Sequence, residues 1–174
     1  MFTKTRESSP KPLLIVRISG GLGNQMFQYA TGLAAALDHD RELHLDTREH
    51  EKDRLRNFGL DAFSIAPSSA KFSMYLPPSS RKGFGFLLWR MRMFRQTDYV
   101  REKQLEYNAL ENTSSWPGTP AVYLHGYWQS ESYFMHRRPQ VLKAFQFSGP
   151  IHTENRAILE RIQTSESVSV HIRR

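Results

Sequence analysis

An α/β fold built on a parallel sheet is predicted by three features of the sequence. Leu13 to Ile18 is a short, β-branched apolar run with no helical stop signal, which suits a strand covered on both faces. A glycine cluster, Gly20, Gly21 and Gly23, follows at once and gives way to a helical period: Met26, Ala30, Leu33 and Leu37 share one helix face. Further short apolar runs at Leu43–Leu45 and Ala121–Tyr127 supply more strands for the same sheet.

In chain order, residues 1–12 are polar with two prolines and read as a disordered tail. They are no signal peptide, because the apolar run that follows is short and broken by Arg17. The glycines allow positive φ and close approach of a ligand. Asn24 is the expected helix N-cap, its side chain and the free N–H groups of the first turn facing the loop mouth, a good place to hold an anion or a sugar hydroxyl. A dinucleotide fingerprint is the rival reading of Gly21-Leu22-Gly23, with Asp46 as the ribose acid. It fails at Met26, too bulky for the third small position.

The helix ends near Leu37, and Asp38-His39-Asp40 leads into the second strand, Glu42 to Leu45. That Asp-x-Asp is no metal site by topology: it joins a helix to a strand, on the edge opposite to where open α/β sheets bind ligands. Asp46 and Thr47 lie on the ligand edge, as substrate contacts or as caps of the next turn. Phe58, Leu60 and Phe63 return to the core, and Ser64–Ser80 reads as a surface loop. Arg81–Arg95 interleaves aromatic residues with arginines. A core helix with its arginines reaching water ranks first there, contact with an anionic membrane surface second, and single-stranded nucleic acid last.

Tyr99-Val100 is a short strand, and Trp116 to Pro120 is a turn before the Ala121–Tyr127 strand. After Gly126, Trp128 and Gln129 offer an aromatic face and an amide that suit an acceptor sugar, although Trp128, Tyr133 and Phe134 equally serve to dock the next helix. Ser132–Phe145 and Ile151–Gln163 read as helices, and Val168–Arg174 as a closing strand.

With 174 residues, the chain is long enough for one sizeable core. A net charge of +7 and a pI near 9.9 invite an anionic partner, and the absence of cysteines rules out a disulfide framework. No stretch approaches the roughly 20 apolar residues of a membrane span.

The run Gly20-Gly21-Leu22-Gly23-Asn24-Gln25-Met26-Phe27-Gln28-Tyr29-Ala30 strongly resembles the signature of the α-1,2-fucosyltransferases, glycosyltransferase family 11. Gly126 to Phe134 is similar to that family's second block, and Val170-His171-Ile172-Arg173-Arg174 looks like the His-x-Arg-Arg motif of fucosyltransferases. The resemblance implies a Rossmann-like N-terminal domain of a GT-B-type enzyme, a GDP-fucose donor, and inverting transfer to the 2-hydroxyl of a galactose-terminated glycan. It implies no metal and no other cofactor.

By position in the motif, Arg173 stabilises the diphosphate leaving group, with Arg174 assisting and His171 orienting the strand end. A bidentate guanidinium suits that role where no metal neutralises the charge. Gly21, Gly23 and Asn24 join the donor set, while Gln25, Asp46, Trp128 and Gln129 are acceptor candidates. Asp46, Glu131 and His125 are the ionisable groups near predicted strand ends that stand as candidates for the base.

Relatives carry an aspartate and a second domain after this motif. The chain thus reads as residues 13–164 of an acceptor-side domain, then residues 165–174 as the first strand of a truncated donor region, with negligible activity and weak GDP affinity alone. A cytoplasmic location, with peripheral contact at the inner membrane through Arg81–Arg95, completes the expectation. The alternative class is a basic α/β module that binds an anionic surface without catalysis.

Overall fold

The computed structural model describes residues 10–51, 56–67, 75, 87, 91, 97–103, 107–110, 113–170 and 172. Among these, four strands form one parallel sheet: β1 (Leu13–Arg17), β2 (Glu42–Asp46), β3 (Thr97–Arg101) and β4 (Ala121–His125), in the spatial order β2-β1-β4-β3. Leu13 is level with Glu42 on one side and Ala121 on the other, and Thr97 is level with Ala121. Parallel pairing brings the carboxyl ends Arg17, Asp46, Arg101 and His125 to one edge.

Side chains alternate across the sheet as the strand period requires. Leu14, Val16, Ile18, Val122, Leu124 and Leu45 face one side and pack with Ala35, Ala36, Leu60, Trp116 and Trp128. Ile15, Ala121 and Tyr123 face the other, against Leu13, Tyr75 and Tyr99. Leu14, Ile15, Val16 and Ile18 are wholly buried, worth about 1.5–3 kcal/mol each in transfer free energy. The α/β class and the strand at Tyr99-Val100 thus match expectation.

Helix α1 (Leu22–Asp38) departs from it in two ways. It begins two residues before the predicted cap: Gly20 turns the chain at φ 77°, and Gly21 is the N-cap, with no side-chain cap bond. Its inner face is also wider than the one that apolar spacing indicated. Ala30 is buried and Met26 packs on the core as expected, but Gln25, Gln28, Thr31, Gly32 and Ala35 are buried with them, whereas Leu37 is exposed.

The cause is close packing on the sheet. A Cβ on Gly32 would lie 2.3 Å from Val16 Cγ2 and 3.1 Å from Leu43 Cδ1, so only glycine lets the helix axis come this near. Bulky Met26 does not prevent the approach, because the small residue stands further along the helix.

Arg41 locks the amino edge of the sheet. It donates to the carbonyls of Leu13 and Thr119, each at 3.0 Å, and to that of Trp116, while its guanidinium lies over the Trp116 ring. Asp38 is engaged at 2.7 Å by both His136 and Arg137, which ties α1 to the turn leading into α2 (Arg138–Ala144).

Three further readings are corrected. Residues 131–137 form two 3-10 turns instead of a continuous helix, and Pro139 stands in the first turn of α2, where its missing N–H costs nothing. Helix α3 (Thr153–Gln163) starts after Ile151 and buries no residue. The closing strand is not found: residues 165–170 and 172 have no strand pairing, with Val168 and Val170 exposed. An alternating pattern needs a hydrogen-bonding neighbour to become a strand, and none pairs with these residues among those described.

No described helix is long and apolar enough to cross a membrane. Of the Arg81–Arg95 segment only Leu87 and Met91 are described, both helical and exposed, so its basic face lies outside the described residues.

Candidate active site

The candidate site lies at the carboxyl edge, where β1 turns through the glycines into α1. Two buried glutamines build it. Gln25 Nε2 donates to the Gly20 carbonyl at 3.0 Å and the Asn57 carbonyl at 2.9 Å, and its Oε1 accepts from the Gly59 N–H at 2.9 Å. Gln28 accepts from the Ser19 N–H at 2.9 Å and donates to Ser19 Oγ and the Gly126 carbonyl, both at 3.1 Å. One helix thus holds the β1 loop, the 57–59 turn and the end of β4 in register.

Gly21 and Gly23 are exposed, and nothing lies within 4 Å of where a Cβ would sit on either. The first turn of α1 therefore presents bare backbone, with the positive end of the helix dipole, to any anion at this edge. Asn24, not a cap, accepts through Oδ1 from Gln129 Nε2 at 2.6 Å. This bond joins the glycine run to the Gly126–Phe134 block.

Gln25, Asp46 and Trp128 lie close to the edge but are not surfaces that a ligand could touch. Gln25 is wholly buried with its amide engaged, so it positions the loop. Trp128 is buried in the left-handed region at φ 56°, its ring edge-on to Tyr133 at 5.4 Å.

Asp46 is buried. Arg48 Nε and Nη2 donate to its two oxygens at 2.8 and 2.9 Å, and Tyr123 Oη donates at 2.7 Å. Burial pushes its carboxyl up, but the hydrogen bonds and charge of Arg48 and the Tyr123 bond outweigh this and hold it below the ordinary range. Burial first, then the Asp46 charge, raises the Tyr123 phenol. His171, Arg173 and Arg174 lie outside the described residues.

A second network was not legible in the sequence. Arg17 donates through Nε to Glu49 at 2.8 Å, and its other nitrogens meet Glu49 and His125 Nε2. His125 Nδ1 faces the hydroxyl of Tyr99, whose ring stacks on Tyr123 at 5.4 Å. With a guanidinium at Nε2, the imidazole accepts there and carries its proton on Nδ1.

Of the three base candidates, His125 thus has both nitrogens engaged, Asp46 is ion-paired, and Glu131 is exposed, 3.6 Å from Arg138. Glu102, absent from the sequence reading, accepts from the N–H groups of Tyr127 at 2.6 Å and Trp128 at 3.0 Å. Gly126 is glycine for its sake, since a Cβ there would lie 2.4 Å from that of Glu102.

No family model matches the chain. Over 166 residues, 93% of its length, the chain is 30% identical to an alpha-1,2-colitosyltransferase of Escherichia coli. It spans about half, 54%, of that protein's length. Over nearly all of its residues, then, the chain is similar to part of a sugar-transferring enzyme.

Proposed function

We propose that residues 13–164 serve as the acceptor-side domain of a GT-B-type transferase that moves L-fucose from GDP-fucose to the 2-hydroxyl of a galactose-terminated glycan. The transfer inverts the anomeric centre and uses no metal. The observation that carries this reading is the glycine turn: two bare glycines at the N-terminus of α1, fixed from beneath by Gln25 and Gln28 and bridged by Asn24–Gln129 to the second block.

The acceptor oxygen attacks C1 of fucose from the face opposite the nucleotide. The bond from C1 to the β-phosphate oxygen breaks, its electron pair leaves with GDP, and the hydroxyl proton passes to solvent or a base. Negative charge therefore grows on the diphosphate. The α1 dipole and the Arg173 guanidinium are the groups that stabilise it. Galactose 2-hydroxyl and fucose are finer assignments than the likeness carries. The relative's name makes a colitosyl donor the second reading.

Because the chain spans half of that relative, the test fuses it to the relative's remaining half and supplies GDP-fucose, or a nucleotide-activated colitose, with a galactoside. Mass spectrometry that finds one deoxyhexose added to the galactoside, lost by about 100-fold or more in Arg173→Ala, supports the reading. Transfer from the colitose donor alone moves it to the second donor. Hydrolysis or transfer indifferent to Arg173→Ala refutes the leaving-group role.

A further inference from the structure

Strand β4 ends at His125, and the residues after it run back along α1. The Gly126 carbonyl is held by Gln28 in the second turn of the helix, at 3.1 Å, and Gln129 by Asn24 in the first, at 2.6 Å. The segment is thereby led towards the exposed Gly21 and Gly23. We propose that Tyr127, between these two bonds, and the Asn24–Gln129 amide pair seat the terminal galactose of a neutral glycan acceptor, an inference that rests on the transferase reading above.

Tyr127 is 41% exposed while Trp128 beside it is buried, so the aromatic side chain open at this edge is the tyrosine and not the tryptophan that the sequence suggested. Among the described residues its ring packs on no other ring and its hydroxyl takes no hydrogen bond, whereas its backbone N–H is fixed at 2.6 Å by Glu102. A firmly seated backbone thus carries an open aromatic face. The C–H patch at carbons 3, 4 and 5 of β-galactose is the apolar surface that packs on such a face.

The amides supply direction. The bond from Gln129 Nε2 to Asn24 Oδ1 uses one donor and one acceptor, and leaves Asn24 Nδ2 and the Gln129 side-chain carbonyl without a partner among the described residues. A donor and an acceptor side by side match a hydroxyl, which both gives and takes a hydrogen bond. Neither amide is charged, so the pair fits a neutral sugar and leaves phosphate to the bare backbone of Gly21 and Gly23. Trp128, in the core at φ 56°, holds a conformation that is costly for a bulky residue, and such strain gathers where ligands are held.

Saturation-transfer NMR on the 174-residue chain with lactose is expected to mark the protons on carbons 3, 4 and 5 of galactose most strongly. Tyr127→Ala should weaken lactose binding by about tenfold at an unchanged thermal midpoint, and Tyr127→Phe, which keeps the ring, should recover most of that loss. Gln129→Ala, which removes the carbonyl of the pair, should weaken binding about fivefold. No saturation transfer from the parent chain, or binding unchanged in Tyr127→Ala, overturns the proposal. In the fused enzyme, transfer to lactose with a KM indifferent to Tyr127→Ala overturns it too, and leaves the transferase reading in place. Tyr127-dependent lactose binding without transfer from any donor keeps the galactose seat and removes the transferase reading.

Discussion

Gln28→Met tests whether the site is held together by the buried amide. Methionine matches glutamine in length and volume, so the packing of α1 on the sheet is kept and little cavity opens. What is lost is hydrogen bonding. The Ser19 N–H, bonded at 2.9 Å, and the Gly126 carbonyl, at 3.1 Å, both lose their partner in a water-poor interior.

Each orphaned backbone group costs about 1–3 kcal/mol, hence roughly 2–6 kcal/mol for the two before relaxation. That is a large part of a typical stability of about 5–15 kcal/mol. With a urea slope near 2 kcal/mol per M, the midpoint of equilibrium unfolding should fall by at least about 1 M. Gln146→Met, on the exposed surface, is the control and should stay within about 0.5 kcal/mol. A Gln28→Met midpoint within error of the parent would refute the reasoning, since the buried amide would then be dispensable.

Gly32→Ala should lower stability by about 1–3 kcal/mol in thermal unfolding, although alanine is the better helix former, because the added methyl meets Val16 at 2.3 Å. Gly23→Ala, where nothing lies within 4 Å, should leave stability equal or slightly raised, while in the fused enzyme it should raise the KM for the nucleotide sugar several-fold. A Gly23→Ala enzyme with an unchanged KM would separate the turn from donor binding. The Asp46 carboxyl is depressed in the fold, so its contribution to stability is full well above the ordinary Asp pKa of about 3.9 and is lost as pH falls below it towards the folded value. Asp46→Asn should accordingly flatten the stability profile below about pH 5, and an unaltered acid slope in that variant would show that other carboxylates carry it.

The strands were legible because their cause is local and repetitive: Leu13–Ile18 and Ala121–His125 are apolar runs that only a two-sided sheet can bury. The helix was legible as a helix, and its inward face only in part: Ala30 and Met26 were on it, the buried glutamines were not. Apolar spacing gives no weight to glutamine, yet Gln25 and Gln28 point inward because the backbone groups they satisfy come from three loops far apart in sequence. The signal was there, two amides one turn apart beside a glycine cluster, but reading it requires asking which backbone groups a loop leaves unpaired.

Arg17, Glu49, His125 and Tyr99 gave no such signal, since strand order alone brings them together. Val168–Val170 shows the converse: a strand-like period does not make a strand where no neighbour pairs with it.

The central place of β1 has a consequence for biosynthesis. One partner, β2, leaves the ribosome soon afterwards, but the other, β4, lies about a hundred residues later: Arg17 and His125 are 108 positions apart. At about 5–20 residues per second, one edge of a largely apolar strand waits on the order of 5–20 s for its mate. During that interval the nascent chain shows the unpaired, β-branched surface on which aggregation begins. Slowing translation between the codons for residues 46 and 121 should therefore lower the soluble yield of this protein, and a holdase chaperone should restore it.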